Sequence, residues 1–250
     1  GEAGLQVIDI TNPASPQLVG GVDTPGDARG VAISGSHAYV ANGGDPQVID
    51  ISDPTSPQLV GGVPTPGGAA DIAVSGTHAY VAGGNLQVID ISNPAIPPLV
   101  GELDTGYASG VALSGTHAYV VDLGDAELLV VDITNPASPQ LVGGVETWGG
   151  LPQGIALSGD YAYMADEWMG LHVIDISNPA SPQHMGGVST PGDATRVAIS
   201  GTHAYVAAGE ADLQVIDVTN PASPQLVGAV YMPGDAYGVA ISGIHAYVAV

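Results

Sequence analysis

Residues 5–22, LQVIDITNPASPQLVGGV, recur with small changes at 47–63, 86–103, 128–145, 171–188 and 213–230. Six copies of one segment restrict the chain to a repeat array, and function then has to lie where the copies differ. Each copy is an apolar run ending in Asp, a turn rich in Asn and Pro, and a second apolar run, which reads as strand, tight connection, strand. The closing Asp marks the register at Asp9, Asp50, Asp90, Asp132, Asp175 and Asp217, with successive spacings of 41, 40, 42, 43 and 42 residues. A second motif lies between the copies: VAISGSHAYVA at 31–41, and its relatives at 72–82, 111–121, 155–165, 197–207 and 239–249. It again reads strand, Ser-Gly turn, strand. Four short strands in roughly 40–45 residues, with no helical stretch, predict a β-propeller blade.

The ends fit the same scheme. The chain starts with the third and fourth strands of a blade and stops after the first and second. Asp217 to Val250 is 33 residues and Gly1 to Asp9 supplies 9 more, so the two ends together make one further period of 42. The expected fold is therefore all-β: a six-bladed propeller with four antiparallel strands per blade, the last blade closed by both termini. The whole of 1–250 is one domain in this reading. Its blades fall near 29–70, 71–109, 110–153, 154–195, 196–237, and 238–250 joined to 1–28. Closure of this kind removes an unpaired sheet edge.

Composition narrows the function classes. Two Arg and no Lys stand against 25 acidic residues, a net charge of −23. A nucleic-acid binder needs cations to displace counterions from phosphates, and an anionic membrane surface needs them likewise, so neither partner is expected. No apolar run approaches the ~18 residues of a membrane span, so membrane insertion of this domain is not expected. The chain has no Cys, and hence no disulfide or thiolate metal site. It shows no signal peptide and no initiator Met, as an excised or processed domain would. The scarcity of cations fits an extracellular or cell-surface setting where salt or divalent ions screen the acids.

The LQVIDISNPASPQLVGGV segments with intervening SGTHAYVA resemble the LVIVP-repeat family across the whole chain. That resemblance implies a propeller of a bacterial or archaeal protein, exported or attached to the cell surface. It carries over no catalytic motif. No Trp-Asp pair closes a strand, and no P-loop, dinucleotide, GxSxG or HExxH signature occurs.

The repeated polar groups read as structure. The Asp before Asn-Pro can accept backbone N–H bonds in the next turn. His37, His78, His117, His203 and His245 stand before Ala-Tyr, with Tyr161 in that place in one copy. A group repeated around a ring is a hydrogen-bonding device of the blade, not one strained catalytic site.

The loops after the second and fourth strands vary, and loops on a rigid scaffold are where binding residues sit. At the aligned position Gly30, Asp71, Gly110, Gly154, Arg196 and Gly238, two charges replace glycine. Arg29, Asp71, Gln153, Arg196 and Tyr237 are the candidate ligand contacts at the channel mouth, the competing reading being a salt bridge that plugs it. Tyr107, Trp148, Trp168 and Tyr231 are the candidate partner contacts, for a protein or a carbohydrate, against a competing reading of loop packing. Asp122, Asp125 and Glu127 are the candidate Ca²⁺ ligands, because calcium takes oxygen donors, although the loop has no EF-hand spacing and a solvated acidic rim would look the same. His172 and His184 replace a Gln and a Leu of other copies; a metal pair is one reading, and drift is the commoner cause of two lone substitutions. The leading function is a non-enzymatic recognition or assembly module. A building block of a surface layer or filament comes second, and an enzyme acting on a carbohydrate or small substrate at the channel mouth comes third. Oligomeric state is not legible.

Overall fold

A computed structural model describes residues 4–12, 15–124, 127–147 and 150–250. All regular structure in these residues is β, in 24 strands. Contacts divide the chain into two compact units, one of Gly1–Ala108 with Ile133–Pro139, the other of Ser109–Asp132 with Gln140–Val250.

The first unit opens with β1 (Leu5–Asp9) and β2 (Gln17–Val22), a two-stranded sheet. Two four-stranded meanders follow: β3 (Gly30–Ser34), β4 (His37–Ala41), β5 (Gln47–Asp50), β6 (Gln58–Gly62), then β7 (Asp71–Ser75), β8 (His78–Ala82), β9 (Leu86–Asp90), β10 (Leu99–Leu103). The second unit holds three more meanders. They are β11 (Ala108–Ser114) to β14 (Gln140–Glu146) through β12 (His117–Asp122) and β13 (Glu127–Asp132), β15 (Pro152–Ser158) to β18 (Gln183–Val188) through β16 (Tyr161–Asp166) and β17 (Gly170–Asp175), and β19 (Arg196–Ser200) to β22 (Gln225–Val230) through β20 (His203–Ala207) and β21 (Leu213–Asp217). The unit ends in the two-stranded sheet of β23 (Gly238–Ser242) and β24 (His245–Ala249).

The local chemistry accounts for the strands. Each Ser-Gly turn puts its glycine at φ 56–58° (Gly35, Gly76, Gly115, Gly159, Gly201, Gly243), as the first central residue of a two-residue hairpin loop requires. Each Asn-Pro turn closes on a backbone bond three residues on, such as Ser181 N to Asn178 O at 2.9 Å. The carboxylate closing the third strand accepts the backbone N–H two residues later, at 2.8–2.9 Å for Asp9, Asp50, Asp90, Asp175 and Asp217. These bonds hold the five carboxyls below the ordinary value. His37, His78, His117 and His203 each bond the hydroxyl before them at 3.2–3.3 Å. The expected structural reading of the repeated Asp and His is what the fold displays.

The sheets stack face to face. Within the first unit β3 adjoins β7, and within the second β15 adjoins β19 and β19 adjoins β23, so first strands of successive sheets lie together. Apolar side chains fill the gaps: Tyr39, Val48 and Val63 meet Ile72, Val81 and Ile89 in one, and Tyr163, Leu171 and Val173 meet Val197, Val206 and Ile216 in another. Towards the outside, the fourth-strand glycine receives the next sheet's Asn-Pro turn. A Cβ on Gly20, Gly61, Gly101 or Gly143 would lie 2.1–2.4 Å from the carbonyl of Pro54, Pro94, Pro136 or Pro179. That close approach explains why LVGG and NPAS recur together. No helix among the described residues is long and apolar enough to cross a membrane.

Candidate functional site: the variable loops

In the first unit, the loop before β3 places Arg29 with its backbone N–H on Ala41 O at 2.8 Å and its guanidinium against Gly43. Asp71 opens β7, and its Oδ1 accepts the Ile72 N–H at 3.0 Å. A Cβ on Gly30 would reach that Oδ1 at 2.6 Å, so Asp71 lies over Gly30, the residue that follows Arg29. Tyr107 is exposed.

In the second unit three of the expected mouth residues come together. Arg196 Nη1 donates to Gln153 O at 2.9 Å and to Thr195 O at 3.1 Å. Thr195 Oγ1 donates to Tyr237 O at 3.1 Å. Arg196 and Thr195 together thus fasten three successive first-strand entries, Arg196 joining the entries of β15 and β19 and Thr195 reaching that of β23. The Tyr237 hydroxyl donates to Asp235 Oδ2 at 3.2 Å; that bond, and the charges of Asp235 and Glu210, push the phenol up.

The aromatic residues stand on loops that are fixed from beneath. Trp168 is 65 % exposed and Tyr231 88 %. Asp166, at the end of β16, is fully buried, and its Oδ1 accepts the N–H groups of Leu151, Trp168 and Met169 at 3.0–3.1 Å. Burial pushes this carboxyl up, but His172 and the three N–H bonds outweigh burial and hold it below its ordinary value. The second loop is tied by the Gly209–Ala236 bridge and by Met232 N–H on Asp212 Oδ1 at 3.0 Å. Glu167 sits in an acidic setting: burial, then Asp193, then Asp166 push its carboxyl up.

Asp122 and Glu127 face each other in register across β12 and β13. Asp122 is buried and its Oδ1 accepts the Gly124 N–H at 2.9 Å. No three His, Cys, Asp or Glu side chains converge as a metal group among the described residues. Trp148 and Asp125 lie outside the described residues.

Sequence reasoning counted Asp166 as one more rim acid. Its anchoring role carries no sequence signal, because an Asp also stands at that place in Asp122 and an Asn in Asn42. Asp193 likewise looked ordinary within a repeated Pro-Gly-Asp. The pair His172 and His184 was visible as a departure from the repeat but not as a contact; the rings meet, with Nδ1 of His172 3.0 Å from Nε2 of His184.

Stacked four-stranded meanders with adjoining first strands are the architecture of a β-propeller. Solved structures agree in fold. A candidate 6-phosphogluconolactonase from Bacteroides fragilis aligns with a TM-score of 0.83 at 14 % identity, covering 99 % of this chain and 84 % of that one. A protein of unknown function from Desulfotomaculum acetoxidans gives 0.77 at 18 %, covering 96 % and 80 %. The periplasmic gluconolactonase PpgL of Pseudomonas aeruginosa gives 0.72 at 17 %, covering 87 % and 73 %. No curated protein is significantly similar in sequence. The LVIVD repeat matches residues 1–24, 25–65, 66–105, 105–147, 149–190, 191–231 and 233–250, and the chain belongs to that repeat family.

Proposed function

We propose that this chain is a non-enzymatic recognition module of an exported or cell-surface protein, a six-bladed ring presenting its variable loops to a protein or carbohydrate. The observation that carries the reading is Trp168, 65 % exposed on a turn whose Trp168 and Met169 N–H groups, with that of Leu151 from the neighbouring loop, are gathered by a wholly buried carboxylate. Burying a carboxylate is costly unless hydrogen bonds replace its water. Here they do, and the result is a rigid loop that exhibits a large aromatic surface before any partner arrives, which lowers the ordering cost of binding. Tyr231, 88 % exposed on a second tied loop, is a further contact in this reading. Sugar rings stack on such faces, and a protein partner would bring basic groups to a chain of charge −23.

Ring closure is part of the proposal. β1 and β2 pair only with each other, as do β23 and β24. The period of 42 asks for β24 beside β1. Two further facts support it. Ile8 on β1 is 53 % exposed, while its counterparts Ile49, Ile89, Ile174 and Ile216 are at most 2 % exposed. The other five fourth-strand glycines each receive a turn of the next sheet, and closure assigns the Asn12-Pro13 turn to Gly228 in the same way. In the closed ring, Arg29, Asp71 and Arg196 share one mouth and form its polar collar. Asp122, Asp125 and Glu127 remain the rim residues for Ca²⁺ in this reading, Asp122 and Glu127 being paired in register.

The test is tryptophan emission, since Trp148 and Trp168 are the only indoles. Titration with neutral and acidic oligosaccharides in one arm and basic peptides in the other is expected to give a saturable change in one arm. That change is lost in Trp168→Ala and Tyr231→Ala at unchanged melting temperature. Binding that survives both substitutions overturns the reading. A second reading, an enzyme on sugar lactones, is favoured by fold neighbours that include a candidate 6-phosphogluconolactonase and a periplasmic gluconolactonase. A phosphorylated substrate finds little here to hold it, with Arg196 already on two carbonyls. Turnover of an unphosphorylated gluconolactone above the uncatalysed rate would establish that second reading in place of the first. A filament or surface layer, the remaining alternative, predicts polymers in purified material.

A further inference from the structure

The blade of β15–β18 departs from the repeat at two places that meet. His172 stands where Gln47, Gln87 and Gln214 stand in other third strands, and His184 where Leu59, Leu141 and Leu226 stand in other fourth strands. A bulge at Met185 shifts the pairing from Val173↔Gly186 to Ile174↔His184. Without it His184 would point to the opposite face; with it both imidazoles share one, with ring centroids 5.1 Å apart. On the far side of His172, Nε2 lies 3.7 Å from Asp166 Oδ2. That is too long for a hydrogen bond, and both atoms are buried without one. His172 is 5 % exposed and Asp166 0 %.

We propose that His172 Nδ1 and His184 Nε2 are the two protein ligands of a divalent transition-metal site, with Asp166 as the outer carboxylate that orients His172. The negative charge of Asp166 favours the proton on His172 Nε2, and so a lone pair on Nδ1. A carboxylate on the outer nitrogen is the usual support of a metal-bound imidazole. The facing nitrogens are 3.0 Å apart. Two metal–nitrogen bonds of about 2.1 Å need about 3.0 Å at a right angle and about 3.4 Å in a tetrahedron. The observed contact is a hydrogen bond between the two rings, and a divalent metal held by both nitrogens would take its place, with water completing the shell. Imidazole nitrogens exclude Ca²⁺ and Mg²⁺ as preferred occupants. Neither histidine is a contact of the proposed recognition surface; Asp166 serves both, with Oδ1 on the Trp168 loop and Oδ2 towards His172.

Calorimetric titration of the full chain with Ni²⁺, in excess Ca²⁺ to occupy surface carboxylates, tests this directly. A single equivalent is expected to bind above the background of the other five histidines. His172→Gln and His184→Leu each restore the residue of neighbouring blades, so they are expected to fold normally and to abolish that equivalent. Asp166→Asn is expected to weaken it about 10–100-fold. Cu²⁺ paramagnetic resonance should show two equatorial nitrogens in the parent chain and lose that pattern in either histidine variant. A Ni²⁺ isotherm unchanged in His184→Leu, or no uptake by the parent chain, overturns the proposal.

Discussion

The seam between β3–β6 and β7–β10 and the faces next to the chain ends are made from the same residues and end in opposite states. At the seam Ile72 is 5 % exposed; its counterpart Val31, on the outward face of β3, is 54 % exposed. Ala41, Ala82, Ala165 and Ala207 on second strands are fully buried, while Ala249 on β24 is exposed. The difference lies in the neighbours and not in the sequence. A propeller blade has two apolar faces, and each is stable only when another sheet covers it. Between stacked sheets within a unit the faces are covered, whereas β3 at Val31 and Ile33, and β24 at Ala249, keep exposed apolar positions.

The comparison breaks most sharply if one half-sheet is removed. Deleting residues 1–22 takes away β1 and β2, whose Leu5 and Val22 pack on Ala38, Val40 and Ile49, and leaves that buried face open. The expected product aggregates or fails to unfold cooperatively, as seen by size-exclusion chromatography and thermal circular dichroism. A monomer with the parent melting temperature would show that the ends do not complete a blade.

A smaller and more local pair of changes separates the seam from the ends. Ile72→Ala removes a buried side chain and is expected to cost about 2–5 kcal/mol in chemical denaturation. Val31→Ala should cost about 2 kcal/mol if closure covers it. If the face stays open to water, the cost is within about 0.5 kcal/mol, as for other surface substitutions.

The glycine contacts give a third comparison of still smaller size. A Cβ on Gly143 would sit 2.2 Å from Pro179 O, so Gly143→Ala forces the next turn outward and is expected to cost about 1–3 kcal/mol. Gly228 is the corresponding glycine of β22, and closure assigns it the turn at Asn12-Pro13. Equal losses for Gly143→Ala and Gly228→Ala would place a turn over Gly228 in solution; a silent Gly228→Ala would leave the end open.

Strand count, strand order and turn chemistry were legible in the sequence because each is written in short-range pattern. Alternation gives the strand, Ser-Gly the hairpin, and the Asp two residues before a Ser or Thr N–H the next turn. The family followed from the same repetition. What lay beyond reach depends on parity and burial. The Met185 bulge decides whether His184 shares a face with His172, and a bulge leaves no mark in a segment where Val-Gly-Gly recurs in blades without the histidines. Asp122 and Asp166 occupy the same repeat position, yet Asp166 gathers three loop N–H groups, because the loops of 151 and 166–170 differ in length and course from those around Asp122. Arg196 was legible as a charge in a glycine place, but its choice of the Gln153 and Thr195 carbonyls rests on how closely β15 and β19 approach.

The smallest expected effect contrasts two carboxyls one residue apart. Asp166 is held low in the fold and Glu167 is held high. For Asp166 the folded form prefers the ionised carboxylate, so its contribution is present above the ordinary value of 3.8 and is lost as pH falls through the lower folded value. For Glu167 the sign reverses. Burial and the charges of Asp193 and Asp166 disfavour its ionised form, so its contribution is full below 4.5 and is lost as pH rises through the folded value. Glu167→Gln removes the second effect and leaves the first. The variant is therefore expected to melt slightly above the parent at pH 7 and to converge with it near pH 4. A melting temperature lower than the parent's at pH 7 would mean that ionised Glu167 has a favourable partner, and that the acidic rim near Trp168 is neutralised by a bound cation and not left to repel.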